Sequence, residues 1–362
     1  MQLLHCIVIV SLFSLFSTIA LAQTPVQNLL KNPDINWVAE AYTYYAPTVN
    51  SRDLGKKEMK RLYHIEERNS VRLLKLVDIL SDDNLFGGSK GLATFVLNLD
   101  ASKVKIYTDA DLKNTYTAQE YQKKKSSIDT IITFDPKTYE ELVQVVVRAI
   151  NEDQLEVFKI KQLIYYNNKT KQLGSMPIAI APMLTVRNKK GEVEKHTAVF
   201  WLSINALEAS LDLNKSIYDY AIRMTRSISE KEMKVVKGKG TLGDVVKDMV
   251  TYATQNPKKV KLYQNIGYME AMTEEEVANF GSSVDTIITF DPKTFEEIVQ
   301  VVTDKFDPKD VCSLGLVQDW VWDAKEQQLN IRLIAYAPIK HQKDKFIPEG
   351  RFIPLFYKKA GE

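Results

Sequence analysis

Thiols are almost missing from this 362-residue chain, whose two cysteines are Cys6 and Cys312. Cys6 lies in an apolar leader, so a chain without that leader has one thiol and no intrachain disulfide. Its stability must then come from packing, which two domains of ordinary size can supply. Histidine is nearly as scarce. His64, His196 and His341 stand outside the leader, and none has a second His or a Cys at zinc-ligand spacing. Glycine forms no phosphate-cradling loop and no G-x-S-x-G elbow, and Gly238-Lys-Gly240 reads as linker. An excess of one charge is missing too: 48 basic residues face 46 acidic ones, a net charge of +2. Such a balance gives no field for steering onto a polyanion, so no nucleic-acid partner is expected. Long apolar runs are confined to residues 1–22, which hold no Lys, Arg, Asp or Glu and end in Ala20-Leu21-Ala22. That is the small-x-small pattern of a cleaved signal peptide, with an uncleaved anchor as the rival reading. An exported, disulfide-free chain is expected, with no transmembrane segment after cleavage.

What the sequence does contain, it contains twice. Ser126 to Val146 reads SSIDTIITFDPKTYEELVQVV, and Ser282 to Val302 reads SSVDTIITFDPKTFEEIVQVV. The two differ only at Ile128/Val284, Tyr139/Phe295 and Leu142/Ile298, and lie at an offset of 156 residues. Weaker matches keep that offset from Val104-Lys-Ile-Tyr107 (Val260-Lys-Leu-Tyr263) to Phe200 (Phe356). An offset of that size is a domain, not a solenoid repeat. The expected fold class is α+β, with two tandem homologous domains. Each holds helices, a strand–turn–helix unit and an antiparallel β meander.

The boundaries expected are a signal peptide at 1–22, a flexible lead-in at 23–36 and a first repeat domain with a trailing helix at 37–236. A linker at 237–241 and a second repeat domain at 242–362 follow. Helices are expected over Lys56–Leu80, Leu92–Leu99, Ala206–Val236 and Leu242–Tyr252 from apolar spacings of three and four. Thr117/Glu120 and Thr273/Glu276 have the capping-box spacing that opens a helix. Val104–Tyr107 and Val260–Tyr263 are short strand candidates. Within the repeated stretch, Ile128–Phe134 alternates as a strand, and Asp135-Pro136 looks like an N-cap and first helical residue. Tyr139, Leu142, Val143 and Val146 then suit one helical face. Leu163–Tyr166 with Ile178–Ala181, and Leu316–Trp322 with Leu329–Ala337, read as hairpins.

Chemistry is thinly represented. The carboxylates Asp129, Asp135, Glu140 and Glu141, repeated as Asp285, Asp291, Glu296 and Glu297, could serve glycoside hydrolysis or bind Ca²⁺. Helix capping and a solvated first turn explain most of them without a ligand. Cys312 has Glu156 at its matching position, so the repeat does not require a thiol there, and a structural cysteine is the better reading. Trp320 and Trp322 share a strand face and would make a sugar-stacking platform or a protein hot spot if exposed. Ile164 and Tyr166 at the matching positions favour core instead. Arg332 is placed to pair with Asp323 or Asp319. No catalytic residue, metal or cofactor is expected.

Trp320-Val-Trp-Asp323, Gln328-Leu329 and Arg332-Leu-Ile-Ala-Tyr-Ala-Pro338 resemble the tryptophan–aspartate hairpin and Arg-to-Pro strand of the gliding motility protein family GldN, also called PorN. Thr197-Ala-Val-Phe-Trp201 is similar to that family's aromatic strand. The pattern normally occurs once; here its central and later parts occur twice, and the expected helical tail is missing. The resemblance implies a non-enzymatic periplasmic component of the type IX secretion and gliding machinery of Bacteroidetes. It also implies a ring built with a GldK/PorK-like outer-membrane lipoprotein beneath the outer membrane. Partner contacts are then expected from Trp320, Trp322, Asp323, Arg332, Lys137 and Lys293. The competing expectation is a secreted glycan-binding module or glycoside hydrolase using the carboxylates and tryptophans.

Overall fold

The computed structural model describes residues 24–45, 73–74, 92–134, 136–151, 154–155, 157–188, 190–207, 220–265, 270–290, 294, 296–323, 325–342 and 350–362. The first element is helix α1 (Thr24–Lys31), followed by strand β1 (Ile35–Tyr45). The expected flexible lead-in is thus mostly helical. Its Leu29 is buried against Val38 and Leu163, and that contact orders it. Of the expected Lys56–Leu80 helix only Leu73–Leu74 are described, and they form the short strand β2. Helices α2 (Leu92–Leu97) and α3 (Ala118–Lys124) follow. Thr117 and Glu120 close the predicted capping box on α3.

The repeated stretch departs from expectation. Strand β3 (Ser126–Phe134) is present, but the segment after the turn is strand β4 (Glu141–Ala149), not a helix. The two pair antiparallel from Ser126↔Ala149 to Phe134↔Glu141. The helical spacing was a coincidence inside an almost continuous apolar run. Val143, Val145, Val146 and Val147 are β-branched, stiff at χ1 and better accommodated in a strand. Pro136, Lys137 and Thr138 make the turn, and Tyr139 adopts a positive φ of 58° to complete it.

Strands β5 (Val157–Asn167), β6 (Gln172–Arg187), β7 (Val193–Ala198), β8 (Leu202–Leu207), β9 (Tyr220–Ser229) and β10 (Lys234–Lys237) come next. Helices α4 (Leu242–Gln255) and α5 (Glu274–Ala278) lead to the second hairpin, β11 (Ser282–Phe290) and β12 (Glu297–Lys305). The chain continues through β13 (Val311–Asp323), β14 (Gln328–Gln342), β15 (Arg351–Pro354) and β16 (Lys358–Lys359). The helix expected over Ala206–Val236 is corrected: its described part is extended apart from a single 3-10 turn at Glu230–Glu232. The edge of β13 offers β9 a full antiparallel ladder, Tyr220↔Trp322 to Ser229↔Ser313, which outweighs the helical spacing. Val104–Tyr107 and Val260–Tyr263 are likewise not strands. Each contributes a bridge from its tyrosine, Tyr107↔Trp201 and Tyr263↔Tyr357.

Twelve of the described strands join one sheet in the path β10-β1-β5-β6-β8-β14-β13-β9-β2, with β7 on β6 and β15 and β16 on β14. The fold is mixed, helices on a large sheet, and strands from both halves of the sequence share that sheet. Where a simple antiparallel meander was expected, β8 runs antiparallel to β6 but parallel to β14. The sheet also folds over on itself. Gln162 on β5 and Gln318 on β13 are four strands apart along the path, about 19 Å if flat. Yet Gln318 Nε2 donates to Gln162 Oε1 at 3.1 Å. Leu173 N–H likewise donates to the buried Tyr336 hydroxyl at 3.2 Å. The β5–β6 and β13–β14 faces therefore lie against each other.

The apolar interior has two principal clusters. One holds Leu92, Ala93 and Val96 of α2 with Tyr121, Phe158, Ile160, Ile180 and Phe200. The other holds Val245, Val246, Met249 and Val250 of α4 with Val277, Leu314, Leu316, Tyr336 and Phe356. The last five of each set correspond at the repeat offset. Other members cross over: Trp320, Trp322 and Leu329 lie in the α2 cluster, and Ile164, Tyr166 and Leu173 in the α4 cluster. Each half thus lays its helix on the hairpin end of the other. Phe95 stacks on Trp322 with centroids 5.9 Å apart. Asp248 of α4 accepts from the Tyr166 hydroxyl at 2.6 Å and from Lys171 Nζ at 2.8 Å. Burial pushes the Asp248 carboxyl up, but these two hydrogen bonds more than offset it and hold its pKa below the ordinary value.

Candidate interaction surface

The sequence-nominated residues separate sharply by burial. Trp320 and Trp322 are fully enclosed, in line with the core reading that Ile164 and Tyr166 favour, so the expected partner contact from them is corrected. The Trp320 indole N–H instead donates to Gln318 Oε1 at 3.4 Å. Arg332 is also buried. Its guanidinium meets Asp319, not Asp323, at 2.5 Å, on directly opposed positions of β13 and β14. Surface contact with a partner is not open to these three residues. Asp323 ends β13 and accepts from the Glu326 N–H at 3.0 Å, as a turn residue does. Lys137 stands exposed in the first hairpin's turn, and Lys293 lies outside the described residues.

The carboxylates do not assemble into a described cleft. Glu140, Glu141, Glu296 and Glu297 are exposed around the two turns, and Asp129 and Asp285 occupy mid-strand positions opposite Val146 and Val302. Asp135 and Asp291, read as helix caps, lie outside the described residues. Cys312 is half-buried, with its thiol 3.6 Å from the Ile339 carbonyl, and burial raises its pKa. A raised pKa keeps it a thiol, a poor nucleophile.

A second charge cluster, centred on a buried lysine and missed by the sequence reading, belongs to the first half. Lys161 Nζ lies 2.7 Å from Glu40 and 2.5 Å from Asp111. Burial opposes the ammonium, but the hydrogen bonds to both carboxylates outweigh it and lift its pKa. Val317 holds the matching place in the second half, so the cluster is not repeated. Only a charged residue breaking an apolar strand, Lys161 within β5, hinted at it.

What remains at the surface is the repeated stretch itself. Among the described residues seven large apolar side chains are exposed, and five of them, Ile132, Phe134, Tyr139, Leu142 and Val143, sit on the β3–β4 hairpin. Ile132, Phe134 and Val143 share one face by strand alternation and cross-strand register. The hairpin forms a two-stranded sheet of its own, as does β11–β12, whose register Phe290↔Glu297 repeats Phe134↔Glu141. Nine residues per strand give an arm about 30 Å long. At the arm bases the ladders continue through Ile150 N–H to Lys125 O and Phe306 N–H to Gly281 O, each at 2.7 Å, and Ile150 and Phe306 pack against the two cores. An isolated two-stranded hairpin is marginal in water, and a solvent-facing apolar strip is the usual mark of a contact surface. The sequence signal for this was the near-identity of the two stretches, far above that of their flanks.

A family model described as "Gliding motility associated protein GldN" matches the chain over residues 69–230 and 241–359. No curated protein matches the chain. Among the described residues no helix is long and apolar enough to cross a membrane.

Proposed function

The chain belongs to the GldN family of gliding motility associated proteins, and from that premise we propose that it is a non-enzymatic structural subunit of the type IX secretion and gliding machinery. It works in the periplasm on the inner side of the outer membrane, in a ring-like complex with a GldK/PorK-like lipoprotein. Two tandem copies of one unit, interlocked through a common sheet, form its body. The hairpin arms β3–β4 and β11–β12 present its contact surfaces, with Lys137 and Lys293 in the turns and Asp323 at a strand end as further contacts.

The observation that carries this reading is the division of labour in the molecule. Among the described residues seven large apolar side chains are exposed, and one repeated arm carries five of them. An arm of that kind suits docking and offers no enclosed site for a substrate. The test is affinity purification of the tagged chain from its native envelope, with mass spectrometric identification of what accompanies it. An outer-membrane lipoprotein is expected in a large complex. Recovery of the chain as a free monomer without envelope proteins would contradict the reading.

A further inference from the structure

We propose that the chain is bivalent: its two arms hold two copies of one protein partner, at places related by a two-fold axis through the body, and the partner surface that meets each arm is apolar with a basic rim. The inference rests on the arms being contact surfaces, and adds how many partners they take and of what kind.

The axis is read from the body. Ladders of the first half recur 156 residues on: Tyr166↔Leu173 is repeated as Trp322↔Leu329, and Leu163↔Met176 as Asp319↔Arg332. The bridge Tyr107↔Trp201 is repeated as Tyr263↔Tyr357. β1 lies on β5 with Trp37 opposite Tyr166, and β9 lies on β13 with Tyr220 opposite Trp322. The decisive contact joins Gln162 to Gln318, equivalent residues hydrogen-bonded to each other at 3.1 Å. Under two-fold symmetry equivalent groups touch where the axis passes between them, as at the centre of an isologous dimer.

The arms leave that body at equivalent points. Ile150 N–H to Lys125 O and Phe306 N–H to Gly281 O are one hydrogen bond made twice, each at 2.7 Å. A partner seated on one arm therefore has an equivalent seat on the other.

The tips carry the same chemistry. In the first arm Ile132 stands opposite Val143 and Phe134 opposite Glu141, so an apolar strip with a carboxylate at its end shares one face. In the second arm Ile288 opposite Val299 and Phe290 opposite Glu297 hold the same register positions, with no residue changed. Towards the end of β4 and β12 the copies part: Val147-Arg148-Ala149 is matched by Thr303-Asp304-Lys305, which reverses a charge. The cores have drifted as well, with Tyr121 for Val277 and Ile180 for Tyr336. Identity that outlasts such drift is expected of two surfaces that meet one partner. Each turn region holds three carboxylates (Asp135, Glu140 and Glu141; Asp291, Glu296 and Glu297) and one lysine (Lys137; Lys293). Charge complementarity then calls for a basic rim around the partner's apolar surface, and the same excess disfavours an anionic lipid surface.

The test is purification of the tagged full chain from its native envelope in detergent, with the molar ratio of each accompanying protein to the chain counted against labelled standards. Phe134→Asp and Phe290→Asp are made singly and together, with thermal melts expected to match the parent. Glu141→Lys and Glu297→Lys, milder changes at the opposing register positions, repeat the test where a melt shifts. Each single variant is expected to lower the ratio of one and the same protein twofold, and the double variant to abolish it. Loss of different proteins from the two arms, loss from one arm only, or complete loss from either single variant overturns bivalency and leaves the arms as contact surfaces. A ratio unchanged in the double variant overturns both. A parent chain that retains no envelope protein removes the secretion-machinery reading and this inference with it.

Discussion

Asp319→Ala is expected to destabilise the protein by about 3–5 kcal/mol, because it leaves the buried Arg332 guanidinium without its carboxylate. Urea denaturation followed by tryptophan fluorescence reads this directly, since Trp320 and Trp322 lie on the same strand. The repeat supplies the compensating change. Leu163 and Met176 stand where Asp319 and Arg332 stand, and they face each other across β5 and β6 in the same register. The double variant Asp319→Leu with Arg332→Met is therefore expected to recover most of the lost stability, coming within about 1.5 kcal/mol of the parent, as well-packed apolar pairs often match buried ion pairs. If the double variant is as unstable as Asp319→Ala, the pair is required by something the first half lacks. If Asp319→Ala costs less than about 1 kcal/mol, the charge is better solvated than its burial implies.

The second large effect is expected at the crossover. Trp322 belongs by sequence to the second half and packs beneath helix α2 of the first, against Phe95. Trp322→Ala removes one of the largest buried side chains and is expected to cost about 3–5 kcal/mol. It should also loosen a helix more than 220 residues away in sequence, as the Asp100 N–H already reaches Gln327 across 227 residues. Faster amide hydrogen exchange at residues 93–98 is the expected signature, with protection at α4 nearly unchanged. Equal loosening of both helices would mean that the clusters unfold together. Tyr139→Ser, on the arm and highly exposed, is the control and is expected to shift stability by less than about 0.5 kcal/mol.

These effects show which features could be read from the sequence. The strand β3, the hairpins β5–β6 and β13–β14, the helices α2 and α4 and the capping boxes were legible, because each is set by neighbours within a few residues. The Asp319–Arg332 pair was half-legible, as one of two pairings open to Arg332. The arm was misread: Tyr139, Leu142, Val143 and Val146 fit a helical stripe, and only the density of valine favoured a strand. Strand β9 was misread for another reason. Its partner β13 lies more than 80 residues downstream, and no local pattern reports a ladder that distant. The exchange of helices between halves was invisible for the same cause. Positions at one offset predict equivalent surroundings, not which copy supplies them.

Burial then reversed the ranking of candidate sites. The tryptophans are interior, in line with the core reading but closed to the partner contact expected of them, and the stretch read as a strand with a helical stripe is the exposed arm. The central claim is that this family member acts through contacts made by its two arms. The most direct measurement replaces the native gene by one carrying Lys137→Glu, Tyr139→Asp, Lys293→Glu and Phe295→Asp, and follows colony spreading at matched protein levels. Spreading is expected to fall to that of a strain lacking the gene. Spreading at the parental rate, with the altered protein present and folded, would contradict the account.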